Sequence, residues 1–132
     1  MLIIIYKNKN SYRVTAFKYI FSVFYNYGCK IGREYIRNIL TQKYLKDYNL
    51  VAYEETAKQH EHGELFHTLQ QLKAGDQLLI IVGCEGGFDE SEIQELNEMG
   101  VKCCSLGNRI LRSETAPLYL MSVIGYSREL TK

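Results

Sequence analysis

Beyond about residue 49 the apolar positions alternate between short solid runs and helical stripes. Leu50-Val51-Ala52-Tyr53 is a short apolar run that predicts a strand. Leu65, Leu69 and Leu72 recur at helical spacing and predict an amphipathic helix that stops at Gly75. Gln77–Val82 is almost continuously apolar, as expected of a strand with helices over both of its faces. Asp89, with Glu92 three residues on, has the pattern of a capping box. The helix it heads runs through Ile93, Leu96 and Met99 to Gly100, and Val101–Leu106 predicts the next strand. Pro117, the single proline, suits the first turn of a last helix reaching about Arg128. Strand and helix alternate, so the expected class is α/β, with a mainly parallel sheet and helices on both faces.

The first part follows no such rhythm. Leu2–Tyr6 and Tyr19–Tyr27 are β-branched and aromatic runs that predict strands. Residues 31–46 place Ile31, Tyr35, Ile39, Ile36 and Leu40 along a helical stripe, with Arg33, Arg37 and Lys43 opposite. Such a basic face is most often a solvated helix surface; contact with nucleic acid is the alternative. The charge balance separates the same two parts. Residues 1–48 hold nine Lys or Arg against two acids, Glu34 and Asp47, while residues 49–132 hold seven against thirteen. The net charge of +1 conceals this asymmetry, and eight of the eleven tyrosines also precede residue 49. Two segments are therefore expected: a basic, Tyr-rich leader over 1–48 and a distinct unit over 49–132, with the seam near Asp47–Asn49.

At 132 residues the chain makes at most one domain, long enough for one core. Its apolar runs are too short to cross a bilayer, and the opening MLIIIYK lacks the order of a secretory signal. A cytoplasmic protein without membrane association is the expectation. The four cysteines form no disulfide framework or zinc spacing; Cys103 and Cys104 point to opposite faces if they lie in a strand. His60, His62 and His67 read as parts of a polar loop and helix rather than as metal ligands, and no metal is expected.

Two clusters carry candidate chemistry. In IVGCEGGFDESE a strand runs into a glycine turn and then a helix start, an arrangement whose backbone N–H groups point outward, usually toward an anion. Glu85, Asp89, Glu90 and Glu92 would repel phosphate, and the lysine of a P-loop is absent, so a nucleoside or a cationic centre suits the turn better. A tight turn that needs its glycines for backbone geometry alone is the competing explanation, and on spacing alone the weightier one. In SLGNRILRSETA a second strand ends at a glycine, and Arg109 and Arg112 precede a helix entered through Ser113, Thr115 and Pro117. Either arginine suits a phosphate or carboxylate. An Arg112–Glu114 pair that pins the loop explains the spacing equally well.

Together, GCEGGFDESEI and SLGNRILRSETAPLY resemble the C-terminal half of the RsmE family, and the likeness extends back to LVAYEE at Leu50. It covers about residues 49–130. Members of that family methylate N3 of a uridine in 16S ribosomal RNA and belong to the SPOUT class of knotted methyltransferases. The resemblance implies S-adenosylmethionine as cofactor, the 16S ribosomal RNA or small subunit as partner, and a homodimer. It implies that Gly83, Glu85, Gly86 and Gly87 border the cofactor and that Leu106, Gly107, Ile110 and Leu111 line it. It also implies a SPOUT-like fold in which SLGNRILR is threaded into a C-terminal trefoil knot, which general rules of chain topology would not suggest.

The chemistry itself asks for a group that stabilises negative charge, because N3 of uracil must lose its proton before it has a lone pair for a methyl. Arg112 is the first candidate for that role or for holding the phosphate, Arg109 the second, and Glu114 is expected to orient Arg112. Neither arginine serves as a base, both being permanently protonated. Cys84 stands where the family usually has proline. Residues 1–48 match neither the family's N-terminal RNA-binding barrel nor the first half of its knotted domain, so the N-terminal part reads as truncated or replaced. A sheet short of strands would expose an apolar edge. The alternative function is a non-catalytic remnant that still binds S-adenosylmethionine or dimerises.

Overall fold

The computed structural model describes residues 2–7, 17–19, 45–58, 63–83, 87–112 and 114–131, and side chains from residue 45 onward apart from 57 and 58. These residues form one sheet of β1 (Leu2–Lys7), β2 (Phe17–Tyr19), β3 (Tyr48–Ala52), β4 (Gln77–Val82) and β5 (Lys102–Cys104). The spatial order is β2-β1-β4-β3-β5. The helices are α1 (Glu54–Lys58), α2 (Glu64–Gln71), α3 (Glu90–Glu98) and α4 (Ala116–Gly125), the last continuing as a π-helical stretch, Tyr126–Leu130.

Alternation along the central strand builds the layers. Leu78, Ile80 and Val82 of β4 join Leu50 of β3 on one face, where α2 (Leu65, Leu69) and α4 (Ala116, Leu120, Ile124) cover them. Leu79 and Ile81 project the other way with Val51, against Ile93 and Leu96 of α3. A two-residue period in the strands thus feeds helices on both faces. Cys104 belongs to the first cluster and Cys103 packs on the second, so the adjacent thiols do face opposite ways. Both are free.

The sheet is parallel where the alternating pattern was clear and antiparallel where it was not. β3 runs parallel to both β4 and β5. β1 lies antiparallel along the other side of β4, from Leu2 opposite Val82 to Lys7 opposite Gln77, and β2 is antiparallel to β1. The result is a mixed sheet rather than a mainly parallel one. An exposed apolar edge was expected of a sheet short of strands; β4 is paired with β1 along its whole length, which satisfies backbone groups that would otherwise attract another chain.

Several elements differ from expectation. α2 ends at Gln71, not Gly75: Leu72 has ψ 123 and leaves the helix, though it stays buried in the stripe. β5 ends at Cys104, because Ser105 and Leu106 already turn toward the next loop. α1 was not foreseen, being too short to carry an apolar period. Of the expected strand Tyr19–Tyr27 and helix 31–46, residues 20–44 lie outside the described residues.

The capping box is present in full: Asp89 Oδ1 accepts from Glu92 N at 2.9 Å, and Asp89 N donates to Glu92 Oε2 at 2.9 Å. This fixes where α3 begins and hence where the glycine turn must end. At the far end, Arg128 donates to the carbonyls of Leu69 (3.1 Å) and Leu72 (3.0 Å), tying the π-helical stretch to the carboxyl end of α2. Those carbonyls would otherwise be left over from the last turn.

Candidate functional site

The parallel register places the ends of three strands level. Ala52 of β3 lies opposite Val82 of β4 and Cys104 of β5. Just past them the chain turns outward, and a cavity of about 630 Å³ opens between the turns. This is the carboxyl rim, where open α/β sheets commonly hold ligands, and the volume lies in the usual ~300–1,000 Å³ range of ligand pockets.

The two sequence clusters meet there. Gly83 and Gly87 of the glycine turn line the cavity, as do Leu106, Gly107, Ile110 and Leu111 of the second loop. Arg109, Arg112 and Glu114 complete the lining from that loop. Glu85 and Gly86 lie outside the described residues, as do Cys84 and Ser113. Leu106 and Leu111 pack on the core below. Ile110 lines the mouth and is 69% exposed.

Two glycines have identifiable work. A Cβ on Gly83 would sit 3.1 Å from Phe88 Cε2 and 3.4 Å from Gly87 Cα, so a side chain there would crowd the Phe88 ring, which lies against the end of β4. Gly107 holds φ +97, a left-handed conformation that lets the chain reverse after β5. Arg112 is fixed through its backbone: its carbonyl accepts from both Thr115 N and Ala116 N at 2.9 Å, forming the entry to α4. Thr115 supplies no side-chain cap there. The Arg112 and Glu114 side chains meet at 4.0 Å and are 86% and 66% exposed. So exposed a pair contributes little to stability and leaves the guanidinium free to turn toward an anion.

Sequence reasoning did not single out Tyr53, Glu54, Glu55 or Phe88, which also line the cavity. The apolar run Leu50–Tyr53 predicts a strand that includes Tyr53. Tyr53 instead follows β3, with its N–H bonded to Cys104 O at 3.1 Å, and packs at the edge of the second core cluster beside the cavity. Burial pushes its phenol pKa up, and Glu55, Glu90, Cys103 and Glu54 push the same way. The signal was available: Tyr-Glu-Glu after one strand and Phe-Asp-Glu after the next repeat the same order of aromatic and acids. The cavity therefore has an acidic side at Glu54 and Glu55 and a basic side at Arg109 and Arg112.

His67 is exposed on α2 against Phe66, away from the cavity lining; His60 and His62 lie outside the described residues. Among the described residues no helix is long and apolar enough to cross a membrane.

A family model described as an RNA methyltransferase domain matches residues 33–125. The chain belongs to that family. The match begins inside the basic segment and crosses the compositional seam. Ribosomal RNA small subunit methyltransferase E of Bacillus subtilis (strain 168) is 46% identical over 86 residues, which are 65% of this chain and 34% of that protein. The protein of the same name from Rickettsia conorii is 36% identical over 81 residues, 61% of this chain and 33% of its own length. The one from Mesomycoplasma hyopneumoniae is 52% identical over 44 residues, 33% of this chain and 19% of its own. The chain thus spans about a third or less of the curated relatives it matches. A crystal structure described as that of a hypothetical protein superposes with a TM-score of 0.62 at 38% identity, covering 74% of this chain and 36% of that one. The RsmE resemblance read from the two loop motifs agrees with these relatives.

In this RNA methyltransferase domain, Gly83→Ala is expected to displace the Phe88 ring, at the ~1–3 kcal/mol typical of overpacking. Urea denaturation reads the cost. No loss of stability would mean that the ring yields freely and that the glycine is not needed for its approach.

Proposed function

We propose that this chain is the C-terminal half of an RsmE-like, SPOUT-class methyltransferase that transfers a methyl from S-adenosylmethionine to N3 of a uridine in 16S ribosomal RNA. The observation that carries the reading is the single rim cavity shared by both loop motifs. In this reading residues 49–132 form the unit, the second loop is threaded as a trefoil knot, and the protein works as a cytoplasmic homodimer.

The residues fit the donor. Leu106, Leu111 and Ala116 offer apolar contact for an adenine, and the glycines bring backbone close to it. Glu54 and Glu55 place negative charge beside a cationic centre. When bound, S-adenosylmethionine supplies an electrophilic methyl group on a positively charged sulfur.

The chain's own part is to hold the base and favour its anion. Arg112, at the mouth and fixed through its carbonyl, stabilises negative charge on the uracil or binds the adjacent phosphate. Arg109 supports it from the same side. Glu114, 4.0 Å from Arg112, orients it. The exposure of Arg112 and Glu114 leaves a surface for RNA or a second copy to cover.

Calorimetric titration of the chain with S-adenosylmethionine, paired with methyl transfer to unmodified small-subunit RNA, tests the reading. Binding with transfer to uridine N3 is expected. Binding without transfer would favour the non-catalytic alternative, and no binding would remove the cofactor assignment.

A further inference from the structure

Resting on that cofactor reading, we propose that Tyr53 and Phe88 form an aromatic wall that recognises the cationic sulfonium of the donor, so that the site grips the donor more tightly than its neutral thioether product. Both residues line the cavity, and both pack against the second core cluster. They arrive by equivalent routes. Tyr53 follows β3 and precedes α1; Phe88 follows β4 and immediately precedes Asp89, the N-cap of α3. Parallel register brings the two strand ends side by side.

A ring face is electron-rich and attracts an onium cation, most strongly where water is partly excluded. Tyr53 is half-buried, and the absence of a side chain at Gly83 allows Phe88 its place. The surroundings reinforce the sign. Glu54 and Glu55 line the same cavity. Burial first, and then Glu55, Glu90, Cys103 and Glu54, hold the Tyr53 phenol pKa above its ordinary value, so the ring stays uncharged with acidic residues as its neighbours. Arg109 and Arg112 stand with the second loop, leaving the aromatic side without a described cation in the lining.

Methyl transfer turns the cationic sulfur into a neutral thioether. A wall that reads charge then holds the donor and releases the product. A wall that is merely apolar would not distinguish them.

The test uses three ligands by isothermal titration: S-adenosylmethionine, S-adenosylhomocysteine, and sinefungin, in which an amine-bearing carbon replaces the methylated sulfur and keeps a positive charge. The unsubstituted chain should favour the two cationic ligands over the thioether by roughly threefold to thirtyfold, the range a cation–ring contact supplies. Tyr53→Leu should erase most of that preference while changing thioether affinity by less than about twofold; Tyr53→Phe, which keeps the ring, should retain it. Phe88→Leu repeats the measurement at the second ring if Tyr53→Leu does not fold. Equal binding of donor and product by the unsubstituted chain would overturn the proposal. So would a loss in the Leu variant that is the same for all three ligands. Failure to bind any of the three would instead remove the cofactor reading beneath it, whereas charge preference without RNA methylation would uphold the wall and refute the activity.

Discussion

Replacing Arg112 by alanine is expected to slow methyl transfer by about 10²–10³-fold, the scale on which one charge-stabilising donor acts in an active site. Donor affinity should change by less than about twofold, since Arg112 is assigned to the base rather than to the cofactor. The stability cost should be small: the side chain is 86% exposed, and the backbone bonds from Thr115 and Ala116 to its carbonyl survive the substitution. Lysine at the same position keeps the charge without the planar fork, so Arg112→Lys should recover part of the rate. Single-turnover methylation with saturating donor separates the two effects. If Arg112→Ala transfers methyl at the parental rate, Arg112 is not the charge-stabilising group, and Arg109 becomes the candidate to examine.

How much of this arrangement was legible depended on the range of the interactions involved. Asp89 and Glu92 are three residues apart, and their reciprocal bonds form within one turn of chain, so spacing alone announced them. Gln77–Val82 announced itself because a strand covered on both faces has no polar side to display. Leu72 misled for a related reason: its burial continued the helical stripe, but its backbone had already left the helix. Hydrophobic period reports where a side chain goes, not which dihedrals take it there.

Contacts made at long range were the ones missed. Nothing in LIIIYK says that it pairs antiparallel with a strand some seventy-five residues later, and the sheet's mixed character follows from that pairing and from β2's on β1. The site shows the same division. Gly83, Gly107 and Arg112, which line the cavity, stood out because glycines after apolar runs and an arginine ahead of a helix start carry local meaning. Tyr53 was absorbed into an apolar run, since a strand end and a cavity wall look alike until the register of β3 against β4 and β5 is known.

Leu120→Ala should be the most damaging apolar truncation near the site, at ~2–5 kcal/mol for a fully buried leucine. Leu120 is 0% exposed and lies in the cluster that joins α4 to Leu50, Ile80 and Val82. Its loss is large against the ~5–15 kcal/mol that separates most folded domains from unfolding. Urea melts should show a lower midpoint with an unchanged slope, and Leu130→Ala, at a residue 76% exposed, should shift the midpoint by much less. The damage should also reach the cavity. Ala116 lines it and shares the cluster with Leu120, and Leu111, from the loop leading into α4, packs on the same cluster and also lines the cavity. A cavity left under α4 lets that wall shift, so donor binding should weaken even where the variant remains folded. If Leu120→Ala costs less than about 1 kcal/mol, far below the usual range for such a truncation, α4 is not held against the sheet in the way its burial requires.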